Sequence, residues 1–152
     1  MNKSEIIQKV ASVFHEKWRE NRLQKDGNYK SMIEKSEDED RNIIYWTDQV
    51  DIANTKFENL PLNRKYENLQ AAQVVVNLVY DKVVNWEEIN SEMLEEMAEI
   101  VHNKWLERNW MEWSFDFQRV SYDQLSEEEK AKDRNQLLQA IEIVKEYLNS
   151  EK

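Results

Sequence analysis

The chain has 152 residues, 40% of them hydrophobic and six of them Trp: one domain by length, or two half-domains sharing a core. One Gly and one Pro argue against a turn-rich β-fold and for helices, and the lack of Cys excludes a disulfide framework, a thiolate metal site and a Cys nucleophile. A net charge of −10 argues against a nucleic-acid polymer as partner, because phosphate contacts supply most of that affinity; a small nucleotide needs only a few local donors.

Residues 4–24 predict a first helix. Asn2 to Glu5 offers a capping box, and Ile7, Val10, Ala11, Phe14 and Trp18 fall on one face. Asp26-Gly27-Asn28 should end it, with Gly27 taking the left-handed conformation. The opening MNKSEIIQKVASV carries acid and amide residues inside its apolar stretch, unlike a signal peptide. No apolar run approaches the roughly 18 residues of a membrane span. The expectation is a soluble cytoplasmic protein with no membrane partner, in the host cytoplasm if the source is viral.

Tyr29 to Arg41 is polar, and its acidic run Glu37-Asp38-Glu39-Asp40 reads as a solvated loop. Ile43-Ile44-Tyr45-Trp46 is a short β-prone run, expected to pair with Phe115 to Val120 in a small ribbon. Asp51 to Leu60 reads as a loop leading to a helix start at Pro61, where the missing amide costs nothing. Residues 61–83 are the clearest helix, with Leu62, Tyr66, Leu69, Val76, Val79 and Val83 stepping by three and four. Its Val74-Val75-Val76 run has low helix propensity, so packing must hold it. Asn85-Trp86-Glu87-Glu88 reads as another capping box and one short turn. Residues 91–109 predict the next helix, followed by an aromatic loop from Trp110 to Tyr122. Ser126-Glu127-Glu128-Glu129 is a capping box whose three acids suit the helix dipole. The last helix runs from there to about Leu148, with Leu138, Ile141, Val144 and Leu148 as its core stripe.

The chain repeats itself. Val101-His102-Asn103-Lys104-Trp105-Leu106-Glu107 matches Phe14-His15-Glu16-Lys17-Trp18-Arg19-Glu20 at an offset of 87 residues. Tyr122-Asp123-Gln124-Leu125 matches Phe57-Glu58-Asn59-Leu60 at an offset of 65, so the first copy carries about 22 extra residues between its halves. Leu94, Met97, Ala98, Val101 and Trp105 align with Ile7, Val10, Ala11, Phe14 and Trp18. Each copy is helix, loop, helix, with residues 1–84 as the first and 85–152 as the second. Neither buries its apolar stripe alone, which predicts an all-α fold: one domain, a pseudo-twofold bundle of four main helices around a shared core, with at most a small β-ribbon in the loops.

The second copy resembles the repeat domain of ryanodine receptors. That family shows an H-x-x-W helix, a P-Y-x-x-L turn and an E-E-K-x-x-D-R helix start. Here they stand as His102 to Trp105, Tyr122 to Leu125, and Glu128 to Arg134. Ser121 replaces the Pro, the loop between the halves is shorter, and the family's G-W-x-Y-G segment appears only as Trp110 to Phe115, without glycines. The first copy is more divergent, with Asn63-Arg64-Lys65-Tyr66-Glu67-Asn68-Leu69 at the last motif. The resemblance implies a tandem of two such halves. It also implies a sensor or sequestering module of bacteria or phages, with nucleotide-derived signals as a ligand class, for example in a phage protein countering host signalling.

The two histidines, His15 and His102, sit at equivalent positions three residues before a Trp. They either line pockets or make buried hydrogen bonds that fix the loop against the helix. No second His or Cys stands at ligand spacing, so no metal is expected. Trp105, Trp110, Trp113, Phe115, Phe117 and Tyr122 crowd one stretch; Trp105 reads as core, while Trp110 and Trp113 suit a ligand's flat ring. Arg22 and Arg108 either bind phosphate or carboxylate or suit the ends of their helices. A binding site is expected where each copy's loop meets its first helix: His102, Arg108, Trp110, Trp113 and Tyr122 in one, His15, Trp18, Arg22, Tyr29 and Trp46 in the other. No carboxylate pair stands in an apolar context, no Gly loop cradles phosphate, and no Ser sits in a nucleophile motif. The expectation is a non-enzymatic binder of a small ligand without a cofactor. The alternative is a protein-interaction module whose acidic surface meets a basic partner or a second copy.

Overall fold

The computed structural model describes residues 2–109 and 119–150. It is 71% helix, with five α-helices and one two-stranded antiparallel ribbon. The helices are α1 (Lys3–Glu20), α2 (Glu39–Tyr45), α3 (Leu62–Val84), α4 (Ser91–Arg108) and α5 (Glu127–Ser150). No helix among the described residues is long and apolar enough to cross a membrane. The described residues within Ile7–Ala72 form one compact unit; those before and after form the other.

α1 starts from Asn2, whose Oδ1 accepts the Glu5 amide at 2.9 Å, and its residues from Ile7 on belong to the Ile7–Ala72 unit. It ends at Glu20, four residues earlier than its sequence suggests. Arg22 draws the chain back: its guanidinium lies over the Trp18 ring at 5.2 Å and donates to the Lys30 and Ser31 carbonyls. Gly27 does adopt positive φ, at 88°, but in the reversal between Leu23 and Tyr29 rather than as a helix cap. The ribbon pairs β1 (Ile33–Lys35) with β2 (Gln49–Asp51), with Glu34 opposite Val50.

Two expectations for this stretch are corrected. The acidic run is not a free loop: Asp38 caps α2 by accepting the Arg41 amide at 3.2 Å, and Glu39 and Asp40 fill its first turn. Ile43-Ile44-Tyr45 is helical, not a strand, because this cap and the Arg41–Tyr45 contact act locally while the ribbon forms from the segments on either side. Of its expected partner, residues 115–118 lie outside the described set. The buried residues of this unit include Val10, Ala11, Phe14, Val50, Ala53, Phe57, Leu60 and Ala72.

In the other unit, α4 packs against α5. Asn90 caps α4 by accepting the Met93 amide at 2.8 Å. Asn85 to Glu87 are not a new capping box but the end of α3. Trp86 takes a left-handed conformation (φ 58°), and the Glu87 amide returns to the Lys82 carbonyl at 2.8 Å. Ser126 caps α5 through the Glu129 amide, as its sequence suggests. The buried stripe of α5 is Leu137, Ala140, Ile143, Val144 and Tyr147. It is turned by about one residue from the expected Leu138, Ile141 and Leu148, and Leu138 is left exposed. On α3, whose residues up to Ala72 belong to the Ile7–Ala72 unit, the burial covers Ala72, Val75, Val76, Val79 and Val83, whereas Leu62 and Tyr66 are exposed. Packing thus holds the β-branched run whose own helix propensity is low.

The repeat is visible in local geometry. Phe57–Asn59 and Tyr122–Gln124 are both single 3-10 turns, closed by amides of Leu60 and Leu125 at 3.1 and 3.0 Å. The flanking dihedrals nearly coincide: −69°, 154° at Lys56 and −63°, 157° at Ser121. The helices before the turns have 18 residues each, and those after them 23 and 24.

Candidate functional site

Both histidines are buried, and both do the same thing. His15 Nε2 donates to the Thr55 carbonyl at 2.7 Å, and His102 Nε2 donates to the Val120 carbonyl at 2.6 Å. A carbonyl only accepts, so Nε2 of each ring carries a proton. Each imidazole also stacks on the Trp three residues on, with centroids 5.7 Å apart for His15–Trp18 and 6.0 Å for His102–Trp105. The imidazole thereby ties the segment before each 3-10 turn to the first helix of its repeat.

Around this common frame the copies differ as a group. In the second copy the Tyr122 hydroxyl donates to Glu95 at 2.7 Å, and Arg134 reaches the other Glu95 oxygen at 2.7 Å. These two hydrogen bonds hold the Glu95 carboxyl below the usual carboxylate range. Burial first, and then the Glu95 hydrogen bond, push the Tyr122 phenol up, so it stays a donor. At the repeat offsets the first copy has Phe57, Gln8 and Leu69 instead, so all three members are absent together. It has its own substitute: Arg19, at the position of Leu106, is buried. Arg19 Nε donates to the Ala53 carbonyl at 2.9 Å, its Nη1 pairs with Glu16, and its guanidinium covers the Tyr29 ring at 4.3 Å.

A pocket of about 170 Å³ opens between α4 and α5 in the second copy, lined by His102, Trp105, Leu125, Glu129, Lys132, Asp133 and Gln136. Three of its groups present different chemistry. Trp105 is half-buried and offers a ring, which corrects its expected place in the core. Asp133 is 17% exposed and stands 4.0 Å from His102 Nδ1, beyond hydrogen-bond length. Burial first, and then the charge of Glu129, push its carboxyl up to about 7. Near neutral pH it therefore exists in both forms, as donor or acceptor. Gln136 adds an amide with both capabilities. Lys132, paired with Glu129 at 2.8 Å, is the cation of the lining, with its side chain 65% exposed. At the matching positions the first copy has Asn68 for Asp133, Ala71 for Gln136, Glu67 for Lys132 and Arg64 for Glu129. Among the described residues no group of three His, Asp or Glu gathers as metal ligands. No protein-family model, curated protein or solved structure matches this chain significantly.

The residues singled out in the sequence divide accordingly. His102 lines the pocket, and the Tyr122 ring, within the Glu95 network, is tilted against the imidazole with centroids 6.4 Å apart. Arg108 is half-buried on the last turn of α4. Trp110 and Trp113 lie outside the described residues. His15, Trp18 and Arg22 stack in series, but the Nε and Nη2 donors of Arg22 are engaged by backbone carbonyls. Tyr29 lies under Arg19, and its amide donates to Asn54. Trp46 is 93% exposed, and among the described residues no hydrogen bond or ring contact joins it to the other four. Sequence reasoning missed Asp133, Gln136, Glu129 and Lys132. A signal existed: they fall at i, i+3, i+4 and i+7 from Glu129, one face of α5.

Proposed function

We propose that this chain is a non-enzymatic binding module of the kind its motifs resemble, the ryanodine-receptor repeat, and that it holds or sequesters a small nucleotide-derived ligand. The second repeat carries the site. The observation that supports this reading is the α4–α5 pocket, where a Trp ring, an adaptable carboxyl and an amide line one cleft. Its volume of about 170 Å³ suits one ring system; a cavity of about 150 Å³ accommodates benzene, and whole drug-sized ligands need about 300 Å³ or more. A heteroaromatic base would lie against Trp105, with Asp133 and Gln136 meeting its polar edge and its sugar and phosphate outside, near Lys132.

A thermal-shift screen of free bases and of mono-, di- and cyclic nucleotides tests the reading. A ligand that binds only the folded state raises the melting temperature by mass action. One base family is expected to do so, and the shift should shrink in Gln136→Ala. A flat response across the panel would overturn the proposal.

A further inference from the structure

We propose that Ile43, Ile44, Tyr45 and Trp46 form a docking surface for a basic, amphipathic segment of a partner protein. This surface belongs to the Ile7–Ala72 unit and does not rest on the ligand reading. Four consecutive large apolar residues are exposed there by 73, 72, 58 and 93%. Single exposed apolar side chains are ordinary, but four in succession are not, and exposed apolar groupings mark interaction sites. No residue of α2 is buried, so burial does not explain its Ile43, Ile44 and Tyr45. The helix is held instead by its ends and its polar side: the Asp38 cap, Asn42 Nδ2 donating to the Ser36 carbonyl at 2.9 Å, and Arg41 donating to the Asn59 carbonyl. The apolar side chains are thus displayed on a support they do not build.

Trp46 adds a second indication. It closes α2 in the left-handed conformation, with φ 58° and ψ 26°. Gly or Asn adopts that conformation at little cost, whereas a bulky residue is strained there, and such strain concentrates at functional positions. A Gly would cap the helix more easily; the Trp places a large ring in water.

Charge selects the occupant. Glu37, Glu39, Asp40 and Asp48 are exposed and flank the apolar group in the chain, and Arg41 lies over the Tyr45 ring at 4.5 Å. An acidic rim around an apolar centre complements a partner with an apolar row flanked by Lys and Arg. A second copy would bring the same acidic rim and the same net charge of −10, which opposes self-association. An anionic lipid surface would be repelled in the same way.

The test titrates the full chain into a labelled helical Leu–Lys peptide with its leucines on one face, followed by fluorescence anisotropy. Binding is expected to weaken about tenfold or more in Ile44→Ser/Trp46→Ser. Melting of that variant should be unchanged, because both side chains are in water. Gln136→Ala should bind the peptide normally. A Leu–Lys peptide scrambled to spread its leucines around the helix, and a Leu–Glu peptide with the original spacing, should bind no better than the variant. Four results would overturn the proposal: no binding of the amphipathic basic peptide, equal binding by the double variant, self-association by sedimentation that the double variant loses, or binding to anionic vesicles that it loses.

Discussion

Replacing Asp133 by Asn should make the protein more stable at alkaline pH and leave it unchanged at acid pH. The carboxyl is 17% exposed, and burial raises it from 3.8 to about 7. A raised value means that the folded state holds the proton more tightly than the unfolded chain does. The stabilising contribution of this group is therefore complete below pH 3.8 and is lost as pH climbs through about 7. At about 1.4 kcal/mol per pH unit, the interval amounts to a ceiling of roughly 4 kcal/mol above pH 8. Relaxation and water entry reduce it, so a gain of about 1–3 kcal/mol is expected for Asp133→Asn at pH 9. Asn is close in shape and neutral throughout, and the other carboxylates titrate alike in both proteins, so their effects cancel in the difference. Urea unfolding of both proteins from pH 4 to pH 9 measures it, provided the denaturant slope is unchanged. A pH-independent difference would refute the reasoning. So would a loss of stability in the variant at pH 9.

The Tyr122–Glu95–Arg134 network should behave as a unit. Tyr122→Phe, Glu95→Gln and Arg134→Leu are each expected to cost about 1 kcal/mol, and the triple variant, which installs the first copy's residues, should cost about 0.5 kcal/mol or more below their sum; strict additivity in chemical unfolding would contradict this. His15→Ala and His102→Ala should each destabilise by about 1–3 kcal/mol, because the Thr55 and Val120 carbonyls lose their donors; melting within a degree of the parent would show that these bonds hold nothing. Residues 1–84 and 85–152 expressed apart are expected to be molten, and mixing them should restore structure; a sharp cooperative melt of either alone would rule out one bundle.

The helices were legible because their signals are local. The Asn2 and Ser126 caps and the three acids at the start of α5 do what their spacing implies. The exact buried stripe was not: Leu137 and Leu138 are equally apolar neighbours, and only packing decides that Leu137 turns inward. At Ile43 to Tyr45, β-branched composition pointed to a strand, yet one carboxylate cap five to seven residues earlier outweighs it. The histidine bonds were readable as one of two alternatives, since a repeated His three residues before a Trp fits either a pocket or a tether. The pocket's α5 face was hidden among the charges of an acidic chain. Glu129, Lys132 and Asp133 look like any solvated helix surface until burial of Asp133 sets them apart.

The measurement that bears most directly on the binding-module account is isothermal titration of the panel's strongest stabiliser into the parent protein and into Gln136→Ala. The variant changes one amide in the pocket and touches neither the His102 tether nor the Glu95 network. The account predicts one site per chain, with affinity falling about tenfold, or about 1.4 kcal/mol, in Gln136→Ala while the melting temperature of the ligand-free protein holds. Equal affinity in the two proteins, or two equivalent sites per chain, would contradict it.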